Sequence, residues 1–175
     1  VTHSDSMETL QALASIHQTN MTAIGGRFKS WSVFEAIQEV FIYDQDYRVY
    51  IAEREGIIIA ALLVFFFNKT AEYYIPATRE ESRVYQPMSL LIFEAMQEAI
   101  RRGCRYWNWG GTWLSLSGVY AFKSRWGTED HRYYYYVREH EQPCPLHNLT
   151  ADNILYEYPY FYVLPFSVLR KKGEQ

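Results

Sequence analysis

Residues 47–77 read YRVYIAEREGIIIAALLVFFFNKTAEYYIPA, and this stretch decides the fold. Tyr47 to Glu53 is rich in β-branched and aromatic residues and reads as a strand. Glu55-Gly56 is a turn. Ile57 to Phe67 is apolar throughout, so no half-buried alternation is present; the run predicts a central strand covered on both faces. Asn68-Lys69 turns the chain again, and Thr70 to Ala77 makes a third strand. The three together predict a meander of antiparallel hairpins.

Helices flank this meander. Leu10, Leu13, Ala14, His17, Met21 and Ile24 recur at helical spacing, and Gly25-Gly26 stops the helix. Ser32-Val33-Phe34-Glu35 has the spacing of a capping box, with Ala36, Ile37, Val40 and Phe41 as the expected buried stripe. Downstream, Pro87 suits a first helical position; Met88, Leu91, Ile92, Ala95, Met96, Ala99 and Ile100 form an apolar stripe, and Gly103 ends the helix. Arg105 to Trp109 predicts a short strand. Ser117 caps a helix in which Val119, Phe122 and Trp126 share a face. Arg132 to Glu139 and Ile154 to Leu164 predict two further strands. The expected order is α-α-β-β-β-α-β-α-β-β, an α+β sheet, mainly antiparallel, with helices on its faces.

Composition sets the frame. The chain has 175 residues, 49% apolar and 21% charged, which predicts one domain over residues 1–175 and excludes a disordered or fibrous chain. Aromatics reach 18%, enough for a large core and a cleft lined by Tyr and Trp. A net charge of −3 gives no general attraction to DNA or to an anionic membrane. The longest apolar run, Ile57–Phe67, is too short for a membrane helix, which needs about 18 residues. No basic segment precedes an apolar one in the first thirty residues, so no signal peptide is expected. Cys104 and Cys144 do not make a disulfide framework, which points to a reducing cytoplasm.

Generic catalytic motifs are missing: there is no P-loop, no Gly-x-Ser-x-Gly and no His-Glu-x-x-His. Cys144 and His147 lack a second ligand pair, so no metal is expected. His17 lies on an apolar helix face, where a hydrogen-bonded core histidine is expected. Three segments carry more chemistry. Thr78-Arg79-Glu80-Glu81-Ser82-Arg83 precedes a helix N-terminus, where outward amides and two arginines suit an anion; the same loop also fits a solvated charged turn, because Glu80 and Glu81 neutralise much of the arginine charge. Tyr106-Trp107-Asn108-Trp109-Gly110-Gly111-Thr112 puts two indoles on one side of a strand and two glycines at its end, where a ligand or a tight turn can approach. Ala121-Phe122-Lys123-Ser124-Arg125-Trp126-Gly127 anchors a helix by its rings and places Lys123 beside them, as a fixed cation for an oxyanion or phosphate or as a snorkelling surface lysine. Glu72, Tyr74 and Tyr135 are strand residues that can face the cleft as bases.

Taken in order, Tyr74-Ile75-Pro76-Ala77-Thr78, the helix ending in Arg102-Gly103, Tyr106-Trp107-Asn108-Trp109-Gly110-Gly111 and Phe122-Lys123-Ser124-Arg125-Trp126-Gly127 resemble the acyltransferases of the GNAT fold. More narrowly, Leu10 to Arg138 resembles the Fem-type branch, aminoacyl transferases of peptidoglycan cross-bridges, and related single-module acetyltransferase-like domains. The resemblance implies a GNAT-like mixed sheet and transfer of an acyl or aminoacyl group to an amine of a small-molecule or lipid-linked cell-envelope precursor. The implied donor is aminoacyl-tRNA or acetyl-CoA. Lys123 falls on the lysine of the Phe-Lys-x-x-aromatic-Gly motif and is the implied catalytic residue; Tyr74, Arg79, Arg83, Trp109, Gly110, Thr112 and Tyr135 are the implied substrate-binding set.

CoA-dependent GNAT enzymes carry a glycine-rich pyrophosphate loop before the central helix. Here Arg83-Val84-Tyr85-Gln86-Pro87-Met88 has no glycine, and Pro87 removes an amide, so weak acetyl-CoA binding is expected. The resemblance is to the C-terminal module of two-module enzymes, which implies a single-module relative or half of a larger enzyme, with a second module or a homodimer as partner. Two alternatives stand beside this reading: an acetyl-CoA-dependent N-acetyltransferase, and a non-catalytic GNAT-like binding module.

Overall fold

A computed structural model describes residues 1–112, 117–132, 134, 136, 150 and 153. The chain divides into two compact units, Val1–Gly127 and Thr128–Gln175. In the first, the elements run β1 (Thr2–His3), α1 (Met7–Ala23), α2 (Trp31–Val40), β2 (Tyr47–Arg54), β3 (Ile57–Phe67), β4 (Thr70–Thr78), a 3₁₀ helix (Glu80–Tyr85), α3 (Pro87–Arg101), β5 (Tyr106–Asn108) and α4 (Ser117–Ser124). In the second, Glu129 pairs with His131 at 3.7 Å, and Thr150 bonds Asn153. The strands expected over 132–139 and 154–164 lie outside the described residues, apart from isolated positions.

The five strands form one sheet in the order β1-β2-β3-β4-β5. The first three pairings are antiparallel, and β5 joins β4 in parallel through the α3 crossover. The sheet is thus mixed but mainly antiparallel, and the fold is α+β and GNAT-like, as the sequence predicts. Both hairpins turn on paired left-handed residues, Glu55-Gly56 (φ 54 and 76) and Asn68-Lys69 (φ 44 and 68), a backbone that follows the twist of the strands.

β3 is apolar throughout because both of its faces are covered. Ala61 and Leu63 point into a cluster with Leu10, Leu13, Phe34 and Ile37 of α1 and α2. Ala60, Leu62, Val64 and Phe66 point the other way, onto Leu91, Ile92, Ala95 and Ala99 of α3. Each fully buried Leu, Ile or Val contributes about 1.5–3 kcal/mol of transfer free energy, so the two layers fix the register of the meander.

Several local expectations are corrected. Helix α2 is capped at Ser30, not Ser32, and the cap side chain accepts no backbone N–H of the helix. Ser30 and Ser32 instead share a hydroxyl contact of 2.7 Å. Ala36, Val40 and Phe41 are exposed, and Phe34 with Ile37 forms the buried face; Phe41, just past the end of the helix, still packs its ring on Phe65 at 4.9 Å between centroids. Ile24 caps α1 and is exposed, as is Ile100 near the end of α3. The loop before α3 is a 3₁₀ helix, and β1 adds an edge to β2 that no sequence pattern announced. Among the described residues, no helix is long and apolar enough to cross a membrane, and no three His, Cys, Asp or Glu side chains are grouped to hold a metal ion.

Candidate active site

Two interruptions in β4 create the site. Pairing with β3 runs Leu63↔Ile75 and then Val64↔Tyr73, which leaves Tyr74 as the extra residue of a β-bulge. Pairing with β5 is short: Thr70↔Tyr106, Ala71↔Trp107 and Glu72↔Asn108. Beyond Glu72, β4 continues to Thr78 beside β3 alone, with no strand on its β5 side among the described residues. Gly110 adopts φ 66, and its N–H donates to Asn108 Oδ1 at 3.0 Å, so the chain leaves β5 sharply there. The strands part, and a cleft of about 530 Å³ opens between β4, the residues after β5, and α4. That volume suits a small ligand.

Glu72, Tyr73, Tyr74 and Pro76 form the β4 wall of the cleft. Trp109, Gly110 and Gly111 form the second wall, and Gly118, Val119, Phe122 and Lys123 the α4 side. The floor is aromatic. Tyr73 and Trp109 have ring centroids 5.1 Å apart, Trp109 and Trp126 5.9 Å, and Trp109 and Phe122 6.4 Å. Trp107 and Trp109 lie on one side of β5 as the alternation predicts, while Tyr106 is exposed. Phe122 and Trp126 anchor α4 as expected, but Val119 is 43% exposed because it sits on the open rim.

Lys123 is the most heavily bonded side chain of the cleft. Its ammonium donates to the Trp109 carbonyl at 2.6 Å and to Thr112 Oγ1 at 2.9 Å, with the Gly111 carbonyl at 3.5 Å. It therefore ties α4 to the loop after β5. Burial pushes its pKa down, and the Glu72 charge opposes that shift. Glu72 behaves in the mirror sense. Burial pushes its carboxyl above the ordinary glutamate range, while the Asn108 side-chain hydrogen bond and the Lys123 charge pull it back. A half-buried carboxylate of raised pKa beside a fixed cation can accept a proton from an ammonium or amine near neutral pH.

The expected set is only partly assembled. Lys123, Tyr74, Trp109 and Gly110 meet in the cleft, and Thr112 is joined to it through Lys123. Arg79 and Arg83 do not line it. Arg79 Nε donates to the Ile58 carbonyl at 2.8 Å, which holds the guanidinium against β3, and Arg83 is exposed at the end of the 3₁₀ helix. Tyr135, Cys144 and His147 lie outside the described residues. Tyr73 and Pro76 were missed, because the sequence does not show where β4 bulges; Gly111 lines the cleft as the second of the two glycines expected to admit a ligand. His17 is buried, as expected of a core histidine: its Nε2 accepts the Lys29 backbone N–H at 3.3 Å, and burial with the nearby Lys29 charge lowers its pKa to about 4.

Comparison with known proteins places this geometry. The family model described as "Acetyltransferase (GNAT) domain" matches residues 1–124 and ends just after Lys123. No curated protein sequence matches significantly. Among solved structures, AAC(6')-Iy in complex with the bisubstrate analogue CoA-S-monomethyl-acetylneamine aligns with TM-score 0.61 and 13% identity, over 79% of this chain and 96% of that one. The ribosomal-protein-alanine N-acetyltransferase of Brucella melitensis biovar Abortus gives 0.60 and 10%, over 78% and 96%. The aminoglycoside acetyltransferase meta-AAC0020 from an uncultured soil metagenomic sample, solved with sisomicin, gives 0.59 and 12%, over 78% and 91%. These identities speak for the fold; the family match speaks for descent. The chain belongs to the acetyltransferase (GNAT) domain family and is a transferase of that class.

Proposed function

We propose that the protein transfers an acyl group to an amine held in the β4–β5 cleft, with Glu72 taking the proton of the attacking amine. The observation that carries this is the position of Glu72: it lies where β4 and β5 part, half-buried, at the cleft wall and within the field of Lys123. The amine attacks a thioester or ester carbonyl, the C–N bond forms, and the C–S or C–O bond breaks. Glu72 receives the amine proton, and the leaving thiolate or alkoxide is protonated in turn. Lys123 holds the Trp109–Thr112 wall in place and keeps a positive charge beside the developing oxyanion. Tyr74 and Trp109 offer flat faces to the acceptor, and Gly110 lets it approach the backbone.

Acetyl-CoA is the donor that family membership favours. The segment before α3 favours a second reading. Gln86 there is left-handed (φ 50), its N–H is bonded to the Arg83 carbonyl at 3.0 Å, and the Ser89 N–H goes to the Gln86 carbonyl at 3.1 Å. Together with Pro87, these bonds leave few amides for a pyrophosphate. An aminoacyl-tRNA donor and a cell-envelope amine as acceptor, the Fem-type reading, fit that scarcity. Calorimetry with acetyl-CoA separates the two: low-micromolar binding assigns CoA, and no binding at millimolar concentration assigns the aminoacyl ester.

A further inference from the structure

We propose that Lys29 selects acceptors bearing an anionic group, a carboxylate or phosphate, in addition to the reacting amine. The inference rests on the reading of the cleft as an amine-acceptor site. Lys29 belongs to the segment between α1 and α2, outside the residues that the sequence singled out. Its Nζ stands 4.9 Å from the centroid of the Tyr74 ring, and that ring lines the cleft.

The bulge sets the direction. Ala71 and Tyr73 pack on the α3 side of the sheet, and Ile75 and Ala77 on the α1–α2 side. Tyr74 packs its ring edge-on against Phe65, at 5.1 Å, on that second side. Glu72 shares it by strand alternation. Glu72 and Tyr74 are two positions apart, about 7 Å along the strand. The α1–α2 side of the cleft thus carries a carboxylate for the amine and, next to the following ring, a cation for something else.

That cation has no ion-pair partner among the described residues. Its backbone N–H is anchored on His17 Nε2, which fixes the base of the side chain. Lys29 is half-buried, and burial pulls its pKa down. A partly desolvated ammonium against an aromatic face, lacking a carboxylate, gains from an incoming anion. An amine acceptor that also carries an anion would meet Glu72 with one group and Lys29 with the other.

The test uses the whole chain and reads binding, not transfer. Two probe pairs differ only in the anion: ethanolamine with phosphoethanolamine, and alanylalaninamide with alanylalanine. Calorimetry is run on wild type, Lys29→Gln and Lys29→Arg, with melting curves to confirm that each variant is folded. At least one anionic member is expected to bind about ten-fold more tightly than its neutral partner, a preference lost in Lys29→Gln and largely kept in Lys29→Arg. Which pair shows it tells phosphate from carboxylate. Equal binding within both pairs, no binding by any probe, or a preference that survives in Lys29→Gln overturns the proposal. Since no donor is present, failure of the transfer chemistry leaves this result standing. Conversely, transfer to anion-bearing amines with unchanged KM in Lys29→Gln would keep the transferase reading and discard this one.

Discussion

Replacing Lys123 by alanine removes a tether as well as a charge. The ammonium makes two close hydrogen bonds, to the Trp109 carbonyl at 2.6 Å and Thr112 Oγ1 at 2.9 Å, and a marginal one to the Gly111 carbonyl at 3.5 Å. A hydrogen bond to a charged group contributes about 1.5–3 kcal/mol. The cleft is open to water, so the carbonyls left behind are rehydrated in part, and the loss should be nearer about 2–3 kcal/mol than the sum. For a unit of this size, that lowers the melting temperature by roughly 6–12 °C. Loss of the cation also pushes the Glu72 carboxyl further up, because the Lys123 charge is one of the influences holding it down. Lys123→Ala should therefore melt earlier, turn over roughly 10²–10³-fold more slowly, and need a higher pH to reach its plateau. Lys123→Arg should recover part of the stability, since a planar guanidinium can reach the carbonyls but not in the same geometry. Thermal melts and pH–rate profiles of the three proteins give the answer. A Lys123→Ala protein that melts within about 1 °C of wild type and turns over normally would refute the reasoning and make Lys123 an ordinary surface lysine.

Glu72 has a folded-state pKa raised by burial, so its protonated form is favoured in the fold. Its contribution to stability is full below the unfolded glutamate pKa and is lost as pH rises through the folded value; Glu72→Gln should flatten that slope in melts taken across the acid range. The rate should move oppositely, falling as pH drops through the same value, because only the carboxylate accepts a proton. His17 has the reverse sign: with a folded pKa of about 4 against 6.5 unfolded, its stabilisation is present above pH 6.5 and lost as pH falls toward 4, on the order of 3 kcal/mol. His17→Gln, which can still accept the Lys29 N–H, should remove most of that acid sensitivity in urea titrations at pH 7 and pH 4.

Much of the fold could be read in the sequence because its strongest signals are periodic and local. The unalternating run Ile57–Phe67, the two turns and the α3 stripe each specify one arrangement, and the sheet follows. Errors came where tertiary geometry overrides pattern. Val40 and Phe41 continue the helical stripe of α2, but the helix ends at Val40 and both stay exposed, Phe41 keeping a ring contact with Phe65. Ser30 and Ser32 are both competent caps, and Ser30, with an extended backbone, takes the position. The site was half legible. Trp109, Gly110 and Lys123 stand in one short stretch whose rings and glycines mark a special turn. Arg79 and Arg83 carried the right charge in a suggestive place, yet Arg79 serves a β3 carbonyl. Lys29 gave no signal, since its relevance depends on a bulge that turns Tyr74 toward it.

The account stands or falls on acyl transfer at the β4–β5 cleft. The most direct measurement is mass spectrometry of a panel of primary amines after incubation with the protein and either acetyl-CoA or an aminoacyl-tRNA, using wild type and Glu72→Gln side by side. The account predicts an acylated amine with one of the two donors in wild type, and a rate at least about 10²-fold lower in Glu72→Gln at a melting temperature no lower than that of wild type. Acylation at the same rate in Glu72→Gln would contradict it, as would no acylated product from either donor with any amine of the panel.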